Sequence, residues 1–317
     1  MWRPGPWIAL GLGIATQTTP PAAAQPTLVG AWGSQGQAIG QLQAPNGVAA
    51  NRGDTLYVAD SFLNRITLFD NRGVPLGAWI DQGSGPGQID FPVGLAIDAE
   101  GDVYVSDSGN NRIQRFRRDG TFVEAFGDSG SGPGQFITPS GITLTPDRQL
   151  YVVDHFNRRV QQIDWSESPP RIARVLDGGD VGFVGPSGVA LDSLGFIYVV
   201  DWEGHEVLKL DPDGSFVLRW GGEGTEPGQF GAPVSAVVDG DLLHVSDGLN
   251  GRMQSFDLDG NFVFEWPSTG LPAPIRIAIG PTRRLFVTSG SPRVFVFQLS
   301  VPVSEKSWGD AKSLFRR

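Results

Sequence analysis

The chain contains no cysteine, which excludes disulfides, cysteine-ligated zinc and thiol catalysis. Histidine is nearly as scarce. Only His155, His205 and His244 are present, so a histidine-based metal site would need all or most of them. Positive charge is in the minority: 24 Lys and Arg stand against 34 Asp and Glu, a formal net charge of −10. That balance argues against binding the phosphate backbone of nucleic acid, which needs clustered Lys and Arg. A hydrolase elbow of the form Gly-x-Ser-x-Gly is missing, so a Ser-based triad has no nucleophile to name. The Gly-rich stretches are followed by neither Lys-Ser/Thr nor a helix start, so they are not phosphate loops. No cofactor and no metal are expected on these grounds.

What the chain does have is turn chemistry. Its 44 Gly and 24 Pro lack the period of three that marks collagen, so they read as turns of an all-β protein. The stretch from Phe91 to Gly127 shows the unit. Four short runs rich in Val, Ile, Phe and Tyr are separated by Asp-Ala-Glu-Gly-Asp, Asp-Ser-Gly-Asn-Asn and Arg-Asp-Gly. Each run is too short for a helix and suited to a strand, giving a four-stranded antiparallel unit. The unit recurs: Pro45, Pro92, Pro139, Pro186 and Pro233 each follow the last by 47 residues, and a sixth, shorter unit starts near Pro272 or Pro274. Second strands end at Asp60, Asp107, Asp154, Asp201, Asp247 and Ser289. Third strands begin at Arg65, Arg112, Arg159, Glu206, Arg252 and Arg293.

Thr27 to Gly33 resembles a fourth strand, Thr121 to Gly127, with no first three before it. The sixth unit has a third strand, Val294 to Leu299, and nothing after it that looks like a fourth. One solution covers both: the N-terminal strand completes the last unit and closes a ring that would otherwise expose strand edges. Units of 40–50 residues with four strands are those of a β-propeller. The sequence therefore predicts an all-β, six-bladed propeller over residues 25–300.

Arg3, the nine-residue apolar stretch from Trp7 to Ala15, and Ala22-Ala23-Ala24 before Gln25 predict a signal peptide over residues 1–24. Export to a periplasmic or extracellular compartment follows as an expectation. No later stretch is apolar enough to span a membrane. Residues 301–317 form a tail outside the repeat.

Val103-Tyr-Val-Ser-Asp-Ser-Gly-Asn-Asn-Arg-Ile-Gln-Arg-Phe116, with Gly-Gln-Phe links and Pro-x-Gly-[Leu/Ile/Val] starts, resembles the NHL repeat over about Thr27 to Leu299. The resemblance implies a propeller, and it leaves activity open. NHL propellers include protein-binding and RNA-binding modules, kinase sensor domains and a peptide-amidating lyase. The lyase resembles a propeller whose channel zinc is held by His directly after the leading Pro of three blades. Here those positions carry Asn46, Val93, Ser140, Ser187 and Val234, with Ala273 or Ile275 in the sixth unit, so that metal chemistry does not carry over.

Loops between second and third strands share one face with the links between blades, and they are the better place to look for function. Asp60/Arg65, Asp107/Arg112, Asp154/Arg159 and Asp247/Arg252 share an offset that suits a loop clamp. Residues that break the repeat stand out against the plain Ser108-Gly-Asn-Asn111 loop: Phe62, His155, Phe156, Trp202, His205 and Leu249. Large apolar side chains on such loops predict a patch for a protein or peptide ligand. Arg65, Arg112 and Arg159 would orient polar groups there if the clamps leave them free, and Asn46, Ser140 and Ser187 would line the channel mouth. His244 takes the strand position of Tyr57, Tyr104, Tyr151 and Tyr198 and reads as a packed residue. The expectation is a monomeric, exported binding module. The alternative is a propeller lyase or lactonase using a channel metal, with His155 and His205 as unusual ligands.

Overall fold

The structure is a computed structural model that describes residues 25–53, 55–266 and 270–299. The expected signal peptide and C-terminal tail lie outside the described residues. Six four-stranded antiparallel sheets form the blades. Their innermost strands are Pro45–Ala50, Pro92–Ile97, Pro139–Leu144, Pro186–Leu191, Pro233–Asp239 and Pro274–Ile279. The sixth blade therefore starts at Pro274. Its fourth strand is Thr27–Trp32, which pairs antiparallel with Val294–Gln298, Trp32 opposite Val294. Trp32 then packs its ring against Phe286 of blade six and Phe69 of blade one, at centroid distances of 5.5 and 6.5 Å.

The near-continuous apolar strands follow from burial on both faces. Successive side chains of a strand point to opposite sides. In Val103–Asp107, Val103 and Val105 enter the cluster shared with blade one, while Tyr104 enters the cluster shared with blade three. The pattern repeats around the ring, so the core is six wedges between neighbouring blades. Each fully buried Val, Leu, Ile or Phe contributes about 1.5–3 kcal/mol. The blades are thus held by face-to-face packing, and the innermost strands can afford small residues at the axis.

Those small residues are required. Each inner strand runs close to the next, and at the third position a Cβ on Gly47 would sit 2.4 Å from Val93 O, one on Gly94 2.2 Å from Ser140 O. His244 is buried on its strand opposite Ser255, as its alignment with the tyrosines implies. Tight turns after the first and third strands lie on one face. The second-to-third loops and the inter-blade links lie on the other, termed the loop face.

Candidate functional site

The loop face is fixed by a repeated side-chain device. In four places the link before a blade reads Gly-x-x-x-Gly-Gln: Gly36 to Gln41, Gly83 to Gln88, Gly130 to Gln135 and Gly224 to Gln229. Each terminal Gln turns its Oε1 back onto a backbone N–H three residues earlier, as Gln135 does to Gly132 N at 3.0 Å. The Arg that opens the third strand then reaches into this turn. Arg159 donates Nη1–H to Ser131 O at 2.7 Å, and Nη2–H to Gly132 O at 2.7 Å and Gln135 O at 2.8 Å. Its Nε–H donates to Asp154 Oδ2 at 2.7 Å. Arg112 and Arg252 repeat the arrangement with Asp107 and Asp247, at 2.7 and 3.0 Å. Arg65 makes the three carbonyl bonds, but its Nε has no partner and it forms no ion pair with Asp60.

The guanidiniums of Arg65, Arg112 and Arg159 are thereby committed to backbone carbonyls. They belong to the scaffold and do not face a ligand, which corrects their placement among the binding residues. Blade four has no such Arg, and the link before it, Asp177 to Gly182, has no Gly-x-x-x-Gly-Gln turn. The clamp and its target are absent together. Glu206 in the Arg position instead faces Arg219 at 3.5 Å, and burial raises its carboxyl above the usual range.

A second set of bonds joins neighbouring blades, in blades one to three, through the residue after the Asp that ends the second strand. Ser61 Oγ–H donates to Pro92 O at 2.7 Å, and Ser108 Oγ–H donates to Pro139 O. In blade three His155 does the same through Nδ1, 2.8 Å from Pro186 O. A carbonyl only accepts, so Nδ1 carries the proton. Ser140 and Ser187, expected at the channel mouth, are buried. Their hydroxyls bond Ser187 O at 3.1 Å and Val234 O at 2.9 Å, so they tie inner strands together. Asn46 is half-buried, with its Oδ1 unpartnered.

The residues that break the repeat behave differently. Phe62 is 67% exposed, Phe156 63%, Trp202 44% and Leu249 78%. Phe62 leans on Phe91, rings 6.1 Å apart, and His155 lies between Phe156 at 4.6 Å and Trp202 at 6.2 Å. Phe91, Ile137 and Val184, at the ends of the links, add exposed apolar surface to the same face. Sequence reasoning missed these three. Their signal was position: each lies one or two residues before a leading Pro.

The axis holds a cavity of about 250 Å³, lined by the inner strands of all six blades and by one charged side chain, Arg276. Arg276 occupies the position held by Gly47, Gly94, Gly141, Gly188 and Ser235 in the other blades. Its Nη1–H donates to Ser187 O at 2.7 Å and Val234 O at 3.2 Å. Burial alone pushes it down to about 10, so it stays charged at neutral pH. Among the described residues no three His, Asp or Glu side chains lie close enough to share a metal ion. His155 spends Nδ1 on a carbonyl, and His205 holds a buried Nδ1 without a partner at a backbone φ of 53°. The residues present do not fit the channel metal of the alternative reading.

Residues 90–116 match the NHL repeat, and residues 133–222 match the SMP-30/Gluconolactonase/LRE-like region. No curated protein matches the chain in sequence. Among solved structures, it is similar to a gluconolactonase from Xanthomonas campestris at 18% identity and a TM-score of 0.63, covering 90% of this chain and 99% of that one. A streptogramin B lyase matches at 14% and 0.59, covering 81% and 94%. A chain of a nidogen/laminin complex matches at 20% and 0.61, covering 77% and 88%. At such identities the likeness establishes the fold alone. The chain is a six-bladed β-propeller of four-stranded blades that carries an NHL repeat and an SMP-30/gluconolactonase-like region.

Proposed function

We propose that this propeller is a rigid binding module whose loop face takes a protein or peptide ligand with an apolar segment. The observation that carries the reading is the exposure of Phe62, Phe156 and Trp202 on loops whose backbones are hydrogen-bonded into place, through Ser61 N to Ala44 O, Phe156 N to Ile137 O and Trp202 N to Gly185 O. Large aromatics are poor choices for a solvated loop, and they are favoured anchors at interfaces. Preorganised loops also lower the ordering cost of binding. The test is selection of peptides from a random displayed library on the immobilised protein. Selected peptides are then measured against the Phe62→Ser/Phe156→Ser/Trp202→Ser variant. A loss of tenfold or more, about 1.4 kcal/mol, with an unchanged melting temperature supports the reading. Equal affinity for the variant refutes it.

A second reading is a lactonase or lyase. The SMP-30/gluconolactonase-like match over residues 133–222 and the gluconolactonase and lyase structures favour it, and the comparisons lean this way more than toward a scaffold. The residues of this chain lean the other way, because the axial cavity offers backbone, aliphatic side chains, the hydroxyl residues Thr143 and Ser235, and Arg276, with no His, Asp or Glu in its lining. A panel of sugar lactones assayed with Ca²⁺, Mg²⁺, Mn²⁺ and Zn²⁺ separates the two. Turnover above background with any metal displaces the binding reading.

A further inference from the structure

We propose that the axial channel is a binding site for a small monocarboxylate, recognised by Arg276. The site is separate from the loop face and stands or falls independently of it. At the third position of the inner strand the fold calls for a residue with little or no side chain, as the close approaches at Gly47, Gly94 and Gly188 require. Blade six departs from that rule with the largest cation available. The side chain crosses the axis to the backbone of blades four and five. It is buried, and burial is the sole cause acting on its acidity, with no carboxylate beside it. A buried charge without a counter-charge is costly, and the cost is recovered when an anion completes the pair.

The chemistry of the unpaired edge selects the anion. Nη1 is occupied by two carbonyls. Nε has no hydrogen-bond partner, and Nη2 has none among the described residues. These two nitrogens form one side of the guanidinium fork, which matches the two oxygens of a carboxylate through parallel N–H···O bonds. Nε is shielded from solvent, so the second bond forms on a small rotation of the guanidinium. A single cation in an otherwise uncharged lining suits a monoanion rather than a phosphate dianion. The innermost strands pair on one side only, so their other edges bring further backbone N–H groups to the axis. The cavity has the volume of about eight waters at roughly 30 Å³ each, room for a short uncharged body below the carboxylate. It extends from the level of Arg276 toward the tight-turn face, since its lining is the third residue onward of each inner strand, or the fourth onward in blade four.

The experiment uses butyrate, benzoate and gluconate, with the matching amides and inorganic phosphate as controls, on the purified full chain. The ¹⁵N resonance of the Arg276 Nε–H, assigned by its loss in Arg276→Lys, is followed during titration, and affinities are taken by calorimetry. The expected result is a saturable shift with at least one carboxylate and none with its amide. Affinity should fall at least tenfold in Arg276→Ser, which installs the residue blade five carries as Ser235. Arg276→Lys keeps the charge and loses the fork; it should fall at least threefold, and it serves alone if Arg276→Ser does not fold. No saturable shift with any carboxylate, equal binding of the amides, a preference for phosphate, or unchanged affinity in the variants overturns the proposal.

Discussion

Replacing Arg159 with methionine keeps most of the aliphatic stem and removes four charge-assisted hydrogen bonds, one to Asp154 and three to link carbonyls. Breaking a buried pair by deleting one partner costs about 3–5 kcal/mol. The groups left behind decide where in that range the loss falls. Asp154 keeps Ile137 N at 2.8 Å, Asn157 Nδ2 at 2.8 Å and Gln161 Nε2 at 3.1 Å. Gln135 O keeps Gln161 Nε2 at 2.7 Å, and Gly132 O keeps Gln135 N at 3.1 Å. Only Ser131 O loses its partner outright. The expected cost is therefore near the lower limit, about 3 kcal/mol. At about 2 °C per kcal/mol, the low end for large domains, the melting temperature drops by about 6 °C in differential scanning calorimetry. Arg65→Met, which breaks no bond to a carboxylate, drops it by less. The converse change, Glu206→Arg, meets no Gly-x-x-x-Gly-Gln turn and brings no gain. A shift under about 1 °C for Arg159→Met, or stabilisation by Glu206→Arg, would refute the clamp as the device that holds the loop face.

Three further outcomes are expected. Removing Thr27–Trp32 strips Val294–Gln298 of its partner strand, so the shortened chain should self-associate with rising concentration in size-exclusion chromatography, and a monodisperse monomer would argue against closure by this strand. His244 should make the protein acid-sensitive. Its Nδ1 lies 2.8 Å from Ser255 Oγ, which accepts the Trp266 Nε1–H at 2.7 Å and keeps its own proton available for the imidazole. Burial pushes the imidazole below its ordinary value, against the pull of Asp239, so the folded state holds fewer protons than the unfolded one. Stability is then full above about pH 6.5 and is lost as pH falls below it; His244→Gln should flatten the melting-temperature slope between about pH 6.5 and 5, and an unchanged slope would exclude the residue. Burial raises Asp239 while the nearby His244 imidazole, 4.0 Å away, and bonds from Arg283 more than offset it, and its carboxyl, held below its ordinary value, adds a second loss at lower pH that His244→Gln leaves in part. Finally, Phe62→Ser and Phe156→Ser should each move the melting temperature by less than about 1 °C, because these rings are largely exposed, and a larger drop would mark them as packing residues.

The propeller was legible because a repeat multiplies a weak signal. Each strand alone is a short apolar run, but the same run returns every 47 residues between the same turns. Closure by the N-terminal strand was legible for the same reason, since an unpaired fourth strand and a missing one are conspicuous in a repeat. The partners of side chains were not legible. Arg65 and Arg112 stand at the same offset from an Asp, yet only Arg112 bonds it, because that depends on ångström-scale placement. Arg276 escaped for another reason. With the start of blade six open between Pro272 and Pro274, the row Gly47, Gly94, Gly141, Gly188, Ser235, Arg276 could not be aligned. Fixing Pro274 opposite Ser289 aligns it, and the one large residue among five small ones becomes visible.

The departures from the repeat are also linked to each other, and blade four shows how. Its link lacks the Gly-x-x-x-Gly-Gln turn, its third strand lacks the Arg, and its second-to-third loop carries Trp202, Glu203 and His205 instead of Ser-Gly-Asn-Asn. Asp201 still binds Val184 N at 2.7 Å, Gly185 N at 2.8 Å and Gly204 N at 2.9 Å, and Trp202 N–H donates to Gly185 O at 2.9 Å, so the loop remains anchored without the Arg. In blades two, three and five the same loop also presents an Asn side chain to the preceding link, Asn110 to Gly83 O at 2.8 Å, Asn157 to Gly130 O at 2.9 Å and Asn250 to Gly224 O at 2.8 Å. Blade four has no such turn to bond, and the loop position is open to a side chain chosen for something other than the scaffold. Trp202 and its neighbour His155 stand at this junction, where the two rings approach to 6.2 Å. A scaffold that relaxes its own hydrogen-bond requirements in one blade can place function there without weakening the other five. This is the physical reason to begin mutagenesis of the loop face at Trp202 rather than at Phe62 or Phe156, whose blades retain both the turn and the Arg that reads it.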